Sequence, residues 1–88
     1  MYNYERQKEN IFTDEGQRLF LATRDNVNTL LADSGAVMMN NAMTLGSLGA
    51  ADAWDMMACV DRLVELGEIR EIKQGHQVAG QHRIFVRV

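Results

Sequence analysis

The most reactive side chains in this chain belong to one cysteine, Cys59, and two histidines, His76 and His82. Cys59 falls beside the apolar positions of a long predicted helix, whereas both histidines lie in or beside a predicted C-terminal hairpin. A nucleophilic cysteine needs a base within hydrogen-bond reach, and this spacing indicates no such pair. The two histidines with a carboxylate match no metal-binding pattern. We therefore interpret Cys59 as a buried, inert thiol and predict no catalytic residue and no metal.

The glycine-containing motifs do not indicate a cofactor either. Gly46-Ser47-Leu48-Gly49 superficially resembles the loop of KH-type RNA-binding domains, but it lacks the basic residue that such a loop carries between its glycines. The sequence contains no phosphate-binding loop with a lysine and no GxGxxG motif after a predicted strand. It predicts no enzyme, no cofactor and no small-molecule site.

Length and charge argue against several classes of function, among them membrane proteins and proteins that wrap nucleic acid. The 88 residues are 47% hydrophobic and 24% charged, which is typical of one small globular domain. Twelve acids against nine bases leave a net charge of −3, which does not favour a chain that wraps nucleic acid or an anionic membrane. No apolar run reaches the ~18 residues of a membrane span or resembles a signal-peptide core. We expect a cytoplasmic protein without a membrane partner.

Residues 1–12 differ in pattern from residues 13–88. The first twelve mix tyrosines with charges that cancel and show no periodicity, so we predict an N-terminal arm that is mobile or docked on a partner. From Thr13, which suits a helix cap, apolar residues recur at three- and four-residue spacing. They predict a helix over 14–33 that stops at Gly35. A second, short helix is predicted over 36–43.

The C-terminal half carries the strongest helical signal. At helical spacing, the apolar residues of 50–66 fall on one side, which predicts a long amphipathic helix. Its predicted buried face consists of Ala53, Met56, Met57, Val60, Leu63 and Val64. Two segments, 68–73 and 82–88, then predict a two-stranded antiparallel hairpin with a loop of about eight residues. The predicted fold class is α+β, with three helices followed by the hairpin.

One stretch resembles a known family. Residues 59–72, Cys-Val-Asp-Arg-Leu-Val-Glu-Leu-Gly-Glu-Ile-Arg-Glu-Ile, resemble the junction between the recognition helix and the wing of winged helix-turn-helix domains. There, a leucine-bearing helix ends in glycine and an isoleucine opens the first wing strand. The resemblance implies a three-helix winged-helix-like domain with the hairpin as its wing. It also implies either of two functions, because the family contains DNA-binding regulators and members that bind only protein.

The charges on the predicted recognition helix depart from the DNA-binding pattern. Residues 50–66 carry four acids and one base, and the predicted outward face consists of Trp54, Asp55, Ala58, Asp61, Arg62 and Glu65. DNA carries one negative charge per about 1.7 Å of duplex axis, so an acidic helix in its groove is repelled. Residues 67–88 are basic by comparison, with four bases against two acids.

Two functional hypotheses result. The first is a non-enzymatic regulatory or adaptor module that acts through protein contacts or self-association, with the candidate contact residues Trp54, Asp55, Asp61 and Glu65. An exposed tryptophan is a common interface anchor, although a partly buried position is the commoner place for this residue type. The alternative is a DNA-binding transcriptional regulator that uses the basic wing, through Arg70, Lys73, Arg83 and Arg87.

Overall fold

The fold is built from helices around a short antiparallel sheet. The computed structural model describes residues 1–43 and 52–88, and within them the α+β fold contains four α-helices and three strands. In chain order the elements are α1 (Tyr4–Gln7), α2 (Asp14–Ser34), β1 (Val37–Met38), α3 (Met39–Ala42), α4 (Ala53–Glu65), β2 (Ile69–Glu71) and β3 (Ile84–Arg87). A 3₁₀ segment (Lys8–Phe12) links α1 to α2. The predicted turn over 44–49 and the predicted helix start at Ala50 lie outside the described residues.

Helix α2 follows the prediction because both of its ends carry strong local signals. Thr13 caps the helix, and its Oγ1 accepts a hydrogen bond from the Gly16 backbone N–H at 3.0 Å. At the other end Gly35 has a φ of 78°, a left-handed conformation that glycine reaches without a Cβ clash. The helix is one residue longer than the predicted range.

The sheet has three strands, so the predicted two-stranded hairpin is wrong in strand number. Strands β2 and β3 pair antiparallel as expected. The predicted helix over 36–43, however, opens with β1, which pairs with β3 and places Val37 opposite Phe85. The strand order is β1–β3–β2, and only Met39–Ala42 of the predicted second helix is helical. An apolar run of this length has no period that separates a two-residue strand from a helical turn.

The connection between β2 and β3 is longer than predicted. It covers residues 72–83 instead of about eight residues, because both strands are shorter than their predicted ranges and a 3₁₀ turn (Gly80–His82) precedes β3. Side chains alternate along β3, so Phe85 is fully buried while Ile84 and Val86, on the other face, are partly buried.

Helix α4 is buried on more than its predicted face. Asp52 caps it by accepting a hydrogen bond from the Trp54 backbone N–H at 2.7 Å. Met56, Cys59, Val60 and Leu63 enter the core, whereas Ala53, predicted to be buried, is exposed. Ala58 was predicted on the outward face but is fully buried, because the 3₁₀ segment Lys8–Phe12 packs against that side of α4.

The 3₁₀ segment also depends on the absence of a side chain at Gly16. A Cβ at this position would lie 1.9 Å from the Asn10 carbonyl oxygen and 2.7 Å from the Ile11 Cα. Ile11, which is 2% exposed, anchors the segment in the same core as α2 and α4. Residues 1–12, called the N-terminal segment below, are thereby fixed to the rest of the chain at their C-terminal end.

The core lies where α2, α4 and the sheet meet, and Val27, Val60, Leu63 and Phe85 are among its fully buried side chains. The opposite side of α2 is exposed and polar. None of the helices in the described parts of the chain is long and apolar enough to cross a membrane.

Replacing Phe85 tests the central position of β3. Because Phe85 has no exposed surface, Phe85→Ala should lower the free energy of unfolding by about 3–5 kcal/mol through lost burial and the cavity left behind. The same substitution at Phe12, which is 59% exposed, should cost less than about 1 kcal/mol, since it loses mainly a cation–π contact with Arg62. Urea denaturation followed by circular dichroism measures both, and equal losses at the two positions would contradict the packing described here.

Candidate functional site

Helix α4 presents three carboxylates to the N-terminal segment. Asp55, Asp61 and Glu65 are spaced six and four residues apart, which places them within an arc of about 120° on a helix. We call these three side chains the carboxylate face. Trp54, which is 41% exposed, lies beside them. The structure therefore brings together all four residues of the predicted protein-contact site, and residues 2–10 of the same chain contact them.

Two tyrosines of the N-terminal segment bind the C-terminal part of the carboxylate face. The Tyr2 hydroxyl donates to Asp61 Oδ2 at 2.6 Å, and the Tyr4 hydroxyl donates to Glu65 Oε1 at 2.8 Å. The Tyr2 ring also meets Trp54 edge-on, with 6.5 Å between the ring centroids. Burial, followed by the hydrogen bond to a carboxylate, raises the pKa of both tyrosines above their ordinary value. Both hydroxyls therefore stay protonated and act as donors.

Amide and ammonium donors bind the rest of the face. Gln7 Nε2 and Asn10 Nδ2 both donate to Asp55 Oδ1, at 3.0 and 2.9 Å. Lys8 Nζ lies 2.8 Å from one carboxylate oxygen of Glu65 and 2.9 Å from the other. Hydrogen bonds from Lys8 and Tyr4, and then from Arg62, lower the pKa of Glu65 from 4.5 to about 2. This carboxylate is thus held ionised by donors of the N-terminal segment.

Arg83 joins α4 to the sheet. Its Nη2 lies 2.8 Å from Asp61 Oδ1 and 2.8 Å from Glu71 Oε1, and its guanidinium lies over the Phe85 ring at 5.2 Å. The Arg83 side chain is 22% exposed and that of Asp61 only 12%. Burial opposes the charge of Arg83, but the hydrogen bonds to Glu71 and Asp61 outweigh it and raise the pKa of the guanidinium. Asp61 therefore receives donors from Tyr2 on one side and Arg83 on the other.

The four bases of the alternative, nucleic-acid site do not form one cluster. Arg70 and Arg87 belong to neighbouring pairs of the β2–β3 ladder, Arg70 with Val86 and Arg87 with Ile69, so their side chains point to opposite faces of the sheet. Lys73 follows β2 and is exposed, and Arg87 donates to Asn28 Oδ1 at 3.4 Å. Arg83 is occupied by its two carboxylates.

The reactive side chains singled out in the sequence lie apart. Cys59 is 1% exposed, and burial raises its pKa to about 12. His76 and His82 are exposed, on or before the 3₁₀ turn that precedes β3. In the described ranges, no three histidine, cysteine, aspartate or glutamate side chains come together in a group that could hold a metal ion.

The donors of the N-terminal segment were not predicted from the sequence. Their charges cancel and they follow no helical period, so the segment was predicted to be mobile or docked on a partner. It is instead ordered by its own chain, as α1 and the 3₁₀ segment. One local signal was present, since Asn3 caps α1 by accepting the Arg6 backbone N–H at 3.2 Å. Nothing in the local pattern specified α4 as the docking surface.

Substituting Lys8 tests why the Glu65 carboxyl is so acidic. Lys8→Met removes the first of its donors, and we expect the pKa of Glu65 to rise from about 2 toward 4.5. The folded pKa lies below the unfolded one, so the stabilisation from this carboxylate is complete above pH 4.5 and is lost as pH falls through about 2. An NMR titration of the side-chain carboxyls measures the midpoint. Glu9→Gln, at an exposed position of the same segment, is the control that leaves it unchanged.

Substituting Arg83 tests the link between α4 and the sheet. Arg83→Met keeps an apolar stem but leaves Asp61 without its cation, and it should lower the free energy of unfolding by about 2–3 kcal/mol. Arg87→Met, at the exposed end of β3, should change it by less than about 0.5 kcal/mol. Urea denaturation at neutral pH compares the two, and a similar small loss for both would contradict the role given to Arg83.

Known proteins add no assignment to this site. No family model, curated protein or solved structure matches the chain. The site is therefore defined by its own chemistry, which consists of three carboxylates on α4, hydrogen-bond donors on the N-terminal segment, and one arginine that connects α4 to the sheet.

Proposed function

We propose that this chain is a non-enzymatic, winged-helix-like regulatory or adaptor module that acts through protein contacts or self-association. The observation that carries the proposal is the carboxylate face of α4, at the position where a DNA-reading member of that family would hold basic side chains. Arg62, the one base in α4, is itself paired with Glu65 at 2.6 Å. A phosphate backbone that approaches this helix meets carboxylates instead of free bases, and it gains nothing from counterion release.

The order of elements supports a winged-helix-like arrangement. A long helix, a short helix, a second long helix and a paired β2–β3 follow one another along the chain, as the resemblance implies. Within the resembling stretch, Gly67 comes after α4 and Ile69 opens β2, which supports the proposal. Strand β1 is an addition to the predicted arrangement.

Exposed hydrophobic residues support a protein partner. In the described ranges, the large hydrophobic residues that remain exposed are Met1, Phe12, Leu21, Trp54, Leu66 and Val88. Single exposed hydrophobics are common on soluble proteins. Trp54 differs because it adjoins the carboxylate face, and tryptophan is enriched among the residues that dominate interface energies. A mixed surface of one aromatic residue and several carboxylates suits a protein segment better than a polyanion.

A DNA-binding regulator is the second candidate. Arg70, Lys73 and Arg87 are exposed, and no ion pair holds them within the described residues. These side chains are the ones that a wing would offer to phosphates. Their distribution over both faces of the sheet limits how many can touch one duplex at a time.

A salt titration of duplex binding separates the two candidates. If the protein-contact proposal holds, a labelled random-sequence duplex should bind no tighter than about 100 µM at ~150 mM salt, the weak end of non-specific binding. The proposal fails if affinity is micromolar, falls steeply with salt, and is lost in Arg70→Ala with Lys73→Ala. Arg18→Ala, which removes an exposed arginine of α2, is the matched control and should bind like the unaltered chain in either case.

Self-association is measured separately by light scattering over a range of protein concentrations. A mass that rises from monomer to dimer in the micromolar range assigns the protein contact to a second copy of this chain. A constant monomer mass assigns it to a different protein.

A further inference from the structure

In the contact between the N-terminal segment and α4, the segment supplies the hydrogen-bond donors and the helix supplies the acceptors. Every side-chain hydrogen bond that crosses it runs from a donor on the segment to a carboxylate on the helix, and the donors are Tyr2, Tyr4, Gln7, Lys8 and Asn10. The acids of the segment, Glu5 and Glu9, are exposed and make no ion pair with α4. Although the segment is neutral overall, it presents only donors to three carboxylates.

The segment is attached mainly by side-chain hydrogen bonds and two partly buried rings. Helix α1 contributes no fully buried residue. The rings of Tyr2 and Tyr4 pack partly buried against the core, and three of the five side-chain bonds to α4, from Tyr4, Lys8 and Asn10, are exposed. The exposed bonds each contribute little in net terms, because water replaces them when they open. Segments of this kind open locally far more often than the core does.

The anchor of the segment lies just beyond this weak part. Ile11 is buried, its carbonyl accepts a hydrogen bond from Gln17 Nε2 at 2.7 Å, and Thr13 Oγ1 donates to the Asn10 carbonyl at 2.9 Å. Residues 1–10 can therefore leave α4 while Ile11 stays in the core. Their departure removes the donors to Asp55 and the ring beside Trp54, and it leaves Glu65 with Arg62 and Asp61 with Arg83.

We propose that residues 1–10 are an autoinhibitory strap: they occupy the contact face of α4 in cis, and a partner segment that presents hydroxyl, amide and ammonium donors displaces them. This inference rests on the proposed protein-contact function and specifies the chemistry of the partner. The strap itself shows which groups the face accepts, and the charge of the face excludes an acidic segment. Trp54 adds a site for an aromatic ring, in the place that Tyr2 takes in cis.

The test uses a labelled peptide of residues 1–10 as the competing segment, with binding measured by fluorescence anisotropy. The full chain is compared with a released variant that carries Tyr2→Phe, Tyr4→Phe and Lys8→Met, and that keeps the two rings but loses three donors. The peptide should bind the released variant at least about tenfold more tightly than the unaltered chain, since the competing strap is weakened. Asp55→Asn with Glu65→Gln in the released variant should reduce that binding at least about tenfold. Asp25→Asn in the released variant, at an exposed position of α2, is the control and should leave peptide binding unchanged.

A second, milder variant tests the same release in case the triple substitution disturbs folding. Gln7→Ala with Asn10→Ala removes only the two donors to Asp55 and leaves the tyrosines and Ile11 in place. Amide hydrogen exchange of residues 4–10 should accelerate in both variants while that of α2 and α4 is unchanged.

Three results would overturn the inference. The first is faster exchange of the strap without tighter peptide binding, which leaves the protein-contact function standing at another surface. The second is peptide binding that survives the loss of both carboxylates. The third is a released variant that forms a dimer by light scattering and reverts to a monomer with Asp55→Asn and Glu65→Gln, because the occupant is then a second copy instead of a different partner.

Discussion

Three parts of the chain meet at one carboxylate, Asp61 of α4. It accepts a hydrogen bond from Tyr2 in the N-terminal segment and is paired with Arg83, the residue directly before β3. With only 12% of its side chain exposed, this charge is tolerated because both partners supply hydrogen bonds that replace water. The positions of α4, the sheet and the N-terminal segment are thus coupled through one side chain.

The same contacts determine which charged groups near α4 are free to bind another molecule. A base that neutralises Asp61 and Glu71 is not available to a phosphate, so Arg83 is structural in this fold. The donors of the N-terminal segment satisfy the remaining carboxylates, so the face that is most acidic in the sequence is screened in the folded chain. This charge arrangement is the ground on which we propose a donor-bearing protein segment as the partner, in preference to nucleic acid.

The sequence allowed the main helices and the existence of the hairpin to be predicted, but not the rest. Helix α2 was predictable because Thr13 and Gly35 mark its ends, and α4 because its apolar residues recur at the helical period. Strand β1 was not, because two residues carry no period and Val37 becomes a strand only beside Phe85. The acids of the site were predictable from their spacing, whereas their donors were not, since these lie 45 to 61 residues away along the chain.

The amino-acid sequence by itself determined the long helices, the alternation of β3 and the sign of the charge on α4, because these depend on neighbours within about one or two turns or strand pairs. Only the tertiary structure decided which groups those charges meet. Ala58 shows the difference, since a position that faces outward on an isolated helix becomes fully buried once the N-terminal segment packs there. Contacts between distant residues depend on the path of the whole chain, and no local pattern records that path.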